Sequence, residues 1–255
     1  MIPEAAPASP ALSLSGVGRL FGALAAVRDV TFDIAHGERR AILGPNGAGK
    51  TTLFNLVCGD FMPTSGTIRL FGEDITRLSA HQRARRGIGR TYQTSLLFNG
   101  LSVLDNLYVA VRGARPGRFS LFAPKAGDAD RAKARALADR MRLSHMGDRL
   151  VSELSHGQRR QLEVGMALAC EPRLLMLDEP AAGLSAAERP ELNRLLKELP
   201  RDLTLILIEH DMDVALPNAD MVTVMKDGVV VVENTPDRIQ DDPLVYEIYL
   251  GKKAA

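Results

Sequence analysis

The sequence predicts an α/β fold in which a parallel sheet core carries an inserted helical lobe. Strand-length apolar runs alternate with helix-like stretches near both ends of the chain, a pattern typical of parallel strands joined by helices. Between about residues 95 and 172 strand signals are absent, and apolar residues recur there at helical spacing. These two observations predict one large domain with an insertion, which suits a chain of 255 residues.

Composition narrows the class of protein. Apolar residues make up 45% of the chain and charged residues 25%, which is ordinary for a globular protein with a core. The formal net charge of +1 argues against a general nucleic-acid binder, so no nucleic-acid partner is expected. No apolar run approaches the ~20 residues of a membrane helix, and the N-terminus lacks a secretion signal. We therefore expect a cytoplasmic protein; any transport would need other chains to form the pore.

The N-terminal elements follow from local patterns. Residues 1–11 are rich in proline and alanine and predict a disordered tail. Residues 30–34 alternate between apolar and polar, which predicts a half-buried strand, and the apolar run 41–43 predicts a buried strand. A helix is expected over residues 51–58, with Gly59 as its stop.

The rest of the chain continues the same alternation. The polar and basic stretch 79–90 predicts a solvated helix face. Asp227-Gly228 between two apolar runs predicts the tip of a hairpin. The remaining predicted elements are a strand at 67–71, helices at 101–111, 130–143, 157–170 and 186–199, strands at 174–177, 203–208, 221–225 and 229–232, and a loop at 112–129.

A glycine-rich loop follows the buried strand predicted at residues 41–43. Residues 44–51, GPNGAGKT, match the pattern G-x-x-x-x-G-K-[ST]. Glycines let backbone N–H groups surround phosphate oxygens, and the helix that follows adds its positive N-terminal end. The pattern predicts a phosphate-loop NTPase core of the RecA-like type, with ATP and Mg²⁺ as cofactors; Lys50 neutralises the β and γ phosphates and the Thr51 hydroxyl ligates Mg²⁺. The predicted nucleotide-binding residues of this segment are Asn46, Gly47, Ala48, Gly49, Lys50, Thr51 and Thr52.

Two carboxylates end the buried strand predicted at residues 174–177. A strand that is packed on both faces tolerates such charges only at its end. Asp178 is predicted to hold Mg²⁺, and Glu179 to act as the general base that polarises the attacking water. His210 ends the next predicted strand, and parallel strands bring their carboxyl ends to one edge of a sheet. We therefore predict that His210 donates a hydrogen bond to the γ-phosphate.

The string LSHGQ at residues 154–158 lies shortly before the acidic strand. It resembles the LSGGQ signature of the ATP-binding cassettes of ABC transporters. The resemblance implies that a second cassette, identical or paralogous, pairs head to tail with this one. In such a nucleotide-sandwich dimer Ser155, His156, Gly157 and Gln158 would cap the γ-phosphate bound by the partner cassette. A serine hydroxyl, a glycine that permits close approach and a helix N-terminus suit an anion.

Other stretches resemble the same family in the same order along the chain. Phe21 resembles the aromatic residue that stacks on adenine, and Gln93 resembles the Q-loop glutamine that contacts Mg²⁺. Residues 182–185 stand at the D-loop and His210 at the switch histidine. The family fold implies an antiparallel β subdomain at the nucleotide base and a single cassette over residues 12–250. Its implied parts are a core at 12–92 and 159–235, a helical lobe at 93–158 and a C-terminal extension at 236–255.

Two positions depart from the family pattern. His156 replaces the second small residue of the signature, which leaves its backbone contacts possible but changes the details. Ser185 replaces the aspartate usual in the D-loop, so hydrogen bonds that couple the two nucleotide sites would differ here.

A finer resemblance connects this chain with the ATPases of branched-chain amino-acid importers. It is carried by the strings GRTYQ, LMLDEPAAGLS and LIEHDMDV and by the ending DDPLVYEIYLG. It implies two integral-membrane permease subunits, an extracytoplasmic solute-binding protein and a peripheral position on the inner face of the cell membrane. Residues 96–98 would then lie near the permease. The solute stays open among branched-chain and other amino acids and related small solutes.

Three alternatives remain from the sequence. A soluble ABC ATPase of translation or DNA repair usually has two cassettes or a long coiled-coil insertion, and this chain has neither. A phosphate-loop kinase would explain Lys50 and Asp178 but not the string at residues 154–158. An exporter ATPase for lipid or lipopolysaccharide differs only in the subfamily strings.

Overall fold

The computed structural model describes residues 9–92, 96–114 and 129–250. Its strands form two sheets, one mainly parallel and one antiparallel. The strands are β1 (Leu12–Phe21), β2 (Leu24–Ile34), β3 (Arg39–Leu43), β4 (Ser65–Leu70), β5 (Glu73–Asp74), β6 (Ile88–Arg90), β7 (Leu174–Asp178), β8 (Thr204–Ile208), β9 (Met221–Lys226) and β10 (Val229–Asn234).

Helices cover both faces of the parallel sheet and form a separate lobe. Within the described residues, every helix is too short or too polar to span a lipid bilayer. The α-helices are α1 (Lys50–Cys58), α2 (Ala80–Ala84), α3 (Val103–Ala114), α4 (Ala129–Arg140), α5 (His156–Leu168), α6 (Arg189–Lys197), α7 (Met212–Ala215), α8 (Pro236–Gln240) and α9 (Pro243–Leu250).

The larger sheet has the strand order β10-β9-β3-β8-β7-β6 and is parallel except at β10. Strands β3, β7 and β8 are buried along their whole length, which explains why β7 and β8 are almost continuously apolar. Because these three strands are parallel neighbours, their carboxyl ends lie together at one edge. This edge carries the glycine-rich loop, the two carboxylates and the histidine singled out in the sequence.

Side chains of β7 alternate between two cores. Leu174 and Met176 pack with α1 and the antiparallel sheet, whose strand order is β2-β1-β4-β5. Leu175 and Leu177 pack on the other face with the core of the helical lobe, which α3, α4 and α5 build. The central sheet therefore joins the nucleotide-facing half of the molecule to the lobe, and the predicted α/β class with both subdomains is confirmed.

Most predicted elements are present within a few residues of their expected bounds. The hairpin between β9 and β10 turns at Asp227 and Gly228, whose φ angles are 49° and 81°, as a two-residue turn of this kind requires. The prediction that residues 1–11 form a disordered tail is wrong for Ala11. Ala11 is fully buried and its N–H donates to Ile34 O at 2.8 Å, so pairing with β2 extends to it; residues 1–8 lie outside the described part.

The loop predicted over residues 112–129 also begins later than expected. Helix α3 runs on through Ala114, because the apolar stripe that packs it on α4 continues to Val111 and helical geometry propagates one more turn. At its other end Ala129 already belongs to α4, and residues 115–128 lie outside the described part.

Arg83 overturns the prediction that residues 79–90 form only a solvated face. Its side chain is fully buried beneath α1, although neighbouring Arg85 is exposed. The guanidinium donates to Leu56 O and Val57 O in the last turn of α1, at 2.5 and 2.9 Å, and to two further carbonyls, Thr76 O and Leu78 O. A cation at a helix C-terminus meets carbonyls that have no partner inside the helix. Arg83 therefore closes the end of the helix that begins at the phosphate loop.

Replacement of Arg83 is expected to destabilise the protein. Arg83→Met removes four charge-assisted hydrogen bonds and leaves buried carbonyls unpaired, so the free energy of unfolding should fall by about 3 kcal/mol. Urea denaturation measures this change, and Arg85→Met is the matched surface control, with an expected change within about 0.5 kcal/mol. Equal stability of the two variants would contradict the capping role.

Candidate nucleotide-binding and hydrolysis site

Residues 44–49 form the loop that joins β3 to α1, as the sequence predicts. Gly49 is the N-cap of α1 with φ of 95°, in the left-handed region that side chains disfavour. A Cβ atom at this position would lie 2.5 Å from Ala26 O of β2, so only glycine fits between the loop and the antiparallel sheet. The first turn of α1 is thereby held against the strand that lines the same cleft.

Lys50 begins α1 and is enclosed by the loop. Its side chain donates from Nζ to Gly44 O at 2.7 Å and to Pro45 O at 3.1 Å, and the residue is 4% exposed. Burial lowers the pKa of Lys50, while the nearby carboxylates of Glu179 and Asp178 act in the opposite direction. The loop thus holds a cation within reach of the acidic strand end.

An open cleft of about 890 Å³ lies over the loop, a size typical of small-molecule sites. Phe21 stands at its rim, at the tip of the β1–β2 hairpin, and is 39% exposed. Its ring meets Phe61 edge to face at a centroid distance of 5.3 Å, and the Arg19 guanidinium lies 4.7 Å from its centre. The cleft is lined by Phe21, Leu24, Ala25, Ala26, Arg28, Asn46, Gly47, Ala48, Gly49, Lys50, Thr51, Thr52, Glu179, Asp227 and Gly228.

Asp178 is the last residue of β7 and is 3% exposed. Burial and the adjacent Glu179 raise its pKa to about 6, against the opposing effect of Lys50. Its backbone N–H donates to Thr91 Oγ1 at 3.3 Å, whereas its Oδ1 has no hydrogen-bond partner among the described residues. A buried carboxylate oxygen with unused lone pairs, close to the start of α1, where Thr51 follows Lys50, fits the oxygen-rich ligation that Mg²⁺ prefers.

Glu179 turns the chain away from the sheet and into the cleft. Its φ of 46° is unusual for a residue other than glycine, and strain of this kind concentrates at functional sites. The turn is fixed by a hydrogen bond from its N–H to Ile208 O at 2.9 Å, in the neighbouring strand β8. Glu179 Oε1 lies 3.6 Å from Nδ1 of the half-exposed His210, so the structure brings both predicted catalytic residues together.

The signature residues form a different surface. Ser155 caps α5: its Oγ accepts from Gln158 N at 3.3 Å, and Gln158 Oε1 accepts from Ser155 N at 2.8 Å. Ser155, Gly157 and Gln158 line a pocket of about 230 Å³ with residues of the α6 region. None of them is among the described residues that line the larger cleft. Gln93, the predicted Q-loop residue, lies outside the described part.

Several cleft and edge residues were missed from the sequence. Arg28 of β2 donates to Asp227 O at 2.7 Å and so joins β2 to the turn between β9 and β10, 199 positions away; no local pattern marks this contact. Tyr249 of α9 accepts a hydrogen bond from Gly44 N at 2.8 Å. Glu209 is fully buried directly after β8, and its place at a strand end beside His210 was a usable signal.

The buried carboxyl of Glu209 is expected to lower the free energy of unfolding at neutral pH. Burial raises its pKa to about 7, while the N–H of Ala181, a 2.9 Å donor to its Oε1, acts to lower it. As pH rises from 4.5 towards 7 the unfolded chain loses this proton while the folded chain keeps it, so the free energy of unfolding falls over that window. Glu209→Gln removes this loss, and we expect a gain on the order of 2 kcal/mol at pH 8 that disappears near pH 4.5.

Denaturation of Glu209→Gln at several pH values tests this expectation. Glu153→Gln makes the same exchange at an exposed position and is the matched control. Its free energy of unfolding should show no pH-dependent gain. If Glu209→Gln gained the same stability at pH 4.5 and at pH 8, the difference between glutamate and glutamine at this position would arise from packing rather than from ionisation.

Comparison with known proteins shows to which family this chain belongs. The family model described as ABC transporter matches residues 27–182, which include the glycine-rich loop, the signature and both carboxylates at the end of β7. The chain belongs to the ABC transporter family. It is 38% identical over 251 residues to the high-affinity branched-chain amino acid transport ATP-binding protein BraF of Pseudomonas aeruginosa, with 95% of this chain and 98% of that protein covered.

Two further relatives agree with this ABC family assignment. LivG of Escherichia coli K12, a protein with the same descriptive name, is 38% identical over 252 residues, with 95% of this chain and 98% of LivG covered. A solved ATP-binding cassette of an ABC transporter in its ADP conformation has a TM-score of 0.84 at 30% identity, with 94% of this chain and 98% of that chain covered. The family and fold predicted from the sequence are confirmed, as is the prediction that this ABC cassette is a transport ATPase.

Proposed function

We propose that this chain is the ATP-hydrolysing subunit of an ABC importer for branched-chain amino acids. The observation that carries the proposal is the joint geometry of the sheet edge. A loop that encloses Lys50 and a strand end that points Glu179 into the same cleft provide phosphate binding and a base at one place. The printed functions of BraF and LivG support the solute class.

In this proposal ATP lies in the cleft with its base against Phe21. The exposed ring offers a flat apolar face at the rim, and the loop amides with Lys50 hold the β and γ phosphates. Thr51 and Asp178 hold Mg²⁺, with Gln93 as the third predicted contact. Bound Mg²⁺ would neutralise phosphate charge.

Glu179 is the proposed general base for the attacking water. Phosphoryl transfer depends mainly on positioning and charge stabilisation, so a carboxylate fixed by its backbone at the strand end suits this role. His210, whose Nδ1 lies 3.6 Å from that carboxylate, is the proposed donor of a hydrogen bond to the γ-phosphate. Both residues belong to the same sheet edge, which keeps their separation fixed.

A second cassette completes the site in this proposal. The signature residues lie on a surface of their own, as they must if they act on the nucleotide of a partner. Ser155 and the N-terminus of α5 supply a hydroxyl and a positive helix end to the γ-phosphate of the partner cassette. Two such head-to-tail sites explain why one chain carries both a phosphate loop and a signature.

The membrane partners are two permease subunits, with an extracytoplasmic solute-binding protein that delivers the solute. An apolar groove of about 290 Å³ between the core and the lobe supports a docking place for a permease helix, and Leu96, Leu97, Met166 and Ala167 contribute to it. Tyr92 and Leu96, which line the groove, are exposed, and so is Phe98, two positions after Leu96. Contiguous exposed apolar residues of this kind mark interaction sites. The chain would then work on the inner face of the cell membrane.

Purification from native membranes followed by transport assays tests the proposal. Mild-detergent extraction of the tagged chain should recover two multi-span proteins and a cassette partner, and the reconstituted complex should drive ATP-dependent uptake of leucine, isoleucine or valine. Leu96→Asp should lower recovery of the multi-span proteins, whereas Leu244→Asp, an exposed leucine in α9, should not. Recovery only with ribosomes or DNA, or uptake of sulfate instead of amino acids, would contradict the importer or the solute respectively.

A further inference from the structure

Two segments with separate roles in the proposed function touch each other within this chain. One is the start of α5, which carries the signature; the other is the D-loop, residues 182–185, which follows Glu179. His156 Nε2 lies 3.0 Å from Ala182 O. Because a carbonyl oxygen only accepts, His156 Nε2 carries the hydrogen and donates it.

Gly183 provides the space for this contact. Its φ of 77° lies in the left-handed region, and a Cβ atom there would sit 2.8 Å from His156 Nε2. The imidazole consequently packs directly on the D-loop backbone. A small residue at position 156, as the family pattern has, could not reach Ala182 O.

A second bridge joins the same two segments. Glu188, the N-cap of α6, accepts with Oε1 from Gly157 N at 3.1 Å. Its Oε2 accepts from Ser185 N at 3.0 Å and from Ser185 Oγ at 2.8 Å. The Ser185 backbone and hydroxyl and the Gly157 N–H lower the pKa of Glu188, in that order. The two positions that depart from the family pattern are His156 and Ser185. The Glu188 carboxylate binds Ser185 directly and binds Gly157, the residue after His156, so both positions belong to one cluster.

We propose that His156 and Glu188 form a clamp that couples the two nucleotide sites of the cassette dimer through the body of each chain. The clamp is defined by the contacts of His156 with Ala182 and of Glu188 with Gly157 and Ser185. Both are positioning residues in this role. The inference rests on the proposed head-to-tail dimer.

The coupling follows from what the clamped segments face. The start of α5 meets the γ-phosphate held by the partner, and the D-loop leads directly from Glu179 of the chain's own site. The N–H of Ala181, the residue before the D-loop, also donates to Glu209, which precedes His210 in the chain, so the start of the D-loop is tied to the end of β8. A displacement of the signature by the partner's ATP would therefore move the loop that positions Glu179. In the usual family pattern an aspartate of the D-loop occupies the position that Ser185 fills here.

ATP hydrolysis as a function of ATP concentration tests the clamp. The wild-type dimer should give a sigmoidal curve with a Hill coefficient approaching 2, the number of sites. His156→Ala and Glu188→Ala should each lower the coefficient towards 1, and the double variant should lower it little further because both break one linkage. His156→Gln, whose amide can donate to Ala182 O, should keep most of the cooperativity.

Matched controls separate coupling from damage to the fold. His145→Ala and Glu153→Ala change exposed residues of the same types and should keep the wild-type curve. ATP affinity of the Glu188→Ala monomer, measured at a concentration below dimerisation, should equal that of the wild type. A hyperbolic wild-type curve, or unchanged cooperativity in both alanine variants, would overturn the clamp while leaving the ATPase intact. Absence of ATP-dependent dimers and of hydrolysis in the wild type would overturn the proposed function together with the clamp.

Discussion

Glu179→Gln is expected to lower steady-state ATP hydrolysis by about 1000-fold while leaving ATP affinity close to that of the wild type. The amide has nearly the shape of the carboxylate and can keep its place at the end of β7, but it cannot accept a proton from water. ATP binding depends on Lys50 and the loop amides, which the substitution does not touch. Hydrolysis and binding should therefore separate in this variant.

A further consequence of Glu179→Gln concerns the dimer. If hydrolysis reopens the nucleotide sandwich, loss of the base should trap it closed, and ATP should shift the variant to a stable dimer in size-exclusion chromatography. Phosphate release and equilibrium binding of a fluorescent ATP analogue measure the other two quantities. Glu153→Gln, an exposed acid in the turn before the signature, is the control and should hydrolyse ATP normally. Sustained normal turnover in Glu179→Gln would remove Glu179 from the role of base.

The elements of this fold were predictable because their signals are local. The phosphate loop, the acidic end of β7 and the Asp-Gly hairpin each follow from a few adjacent residues and from strand or helix periodicity. Their meeting at one edge was also predictable, since parallel strands align their carboxyl ends. Phe21 lies at the rim of the cleft, and its stacking on adenine, which the family resemblance implies, stays a prediction.

The contacts that the sequence could not predict join distant positions. Arg83 lies in a polar, basic stretch that predicts a solvent-exposed face, yet its partners Leu56 and Val57 are 27 and 26 positions away, in the last turn of α1. His156 meets Ala182 across 26 positions, so its exchange for a small residue could be noticed but not explained. Burial also sets the pKa of Asp178 and Glu209, and burial depends on packing rather than on the neighbouring letters.

Lys50→Met is expected to weaken ATP binding by about 100-fold and to remove measurable hydrolysis at ordinary ATP concentrations. A charge-assisted hydrogen bond contributes roughly 1.5–3 kcal/mol, and a lysine that meets two phosphates makes more than one such bond. Lys50 is also the first of three nearby cations that oppose the raised pKa of Asp178, so its loss should favour the protonated carboxyl and weaken Mg²⁺ binding as well. Both effects act on the same bound state and should add to the loss of affinity.

The control for Lys50→Met is Lys226→Met, which removes the same charge from an exposed residue next to the Asp227-Gly228 turn of the cleft. Isothermal titration should give near-normal ATP affinity for this control, because a solvated charge outside the loop is screened. A similar loss in both variants would assign the effect to the general field of the cleft rather than to the enclosed Nζ. Unchanged affinity in Lys50→Met would contradict phosphate binding by the loop. Since Glu179→Gln should retain the affinity that Lys50→Met loses, the pair separates the binding half of the site from its chemical half.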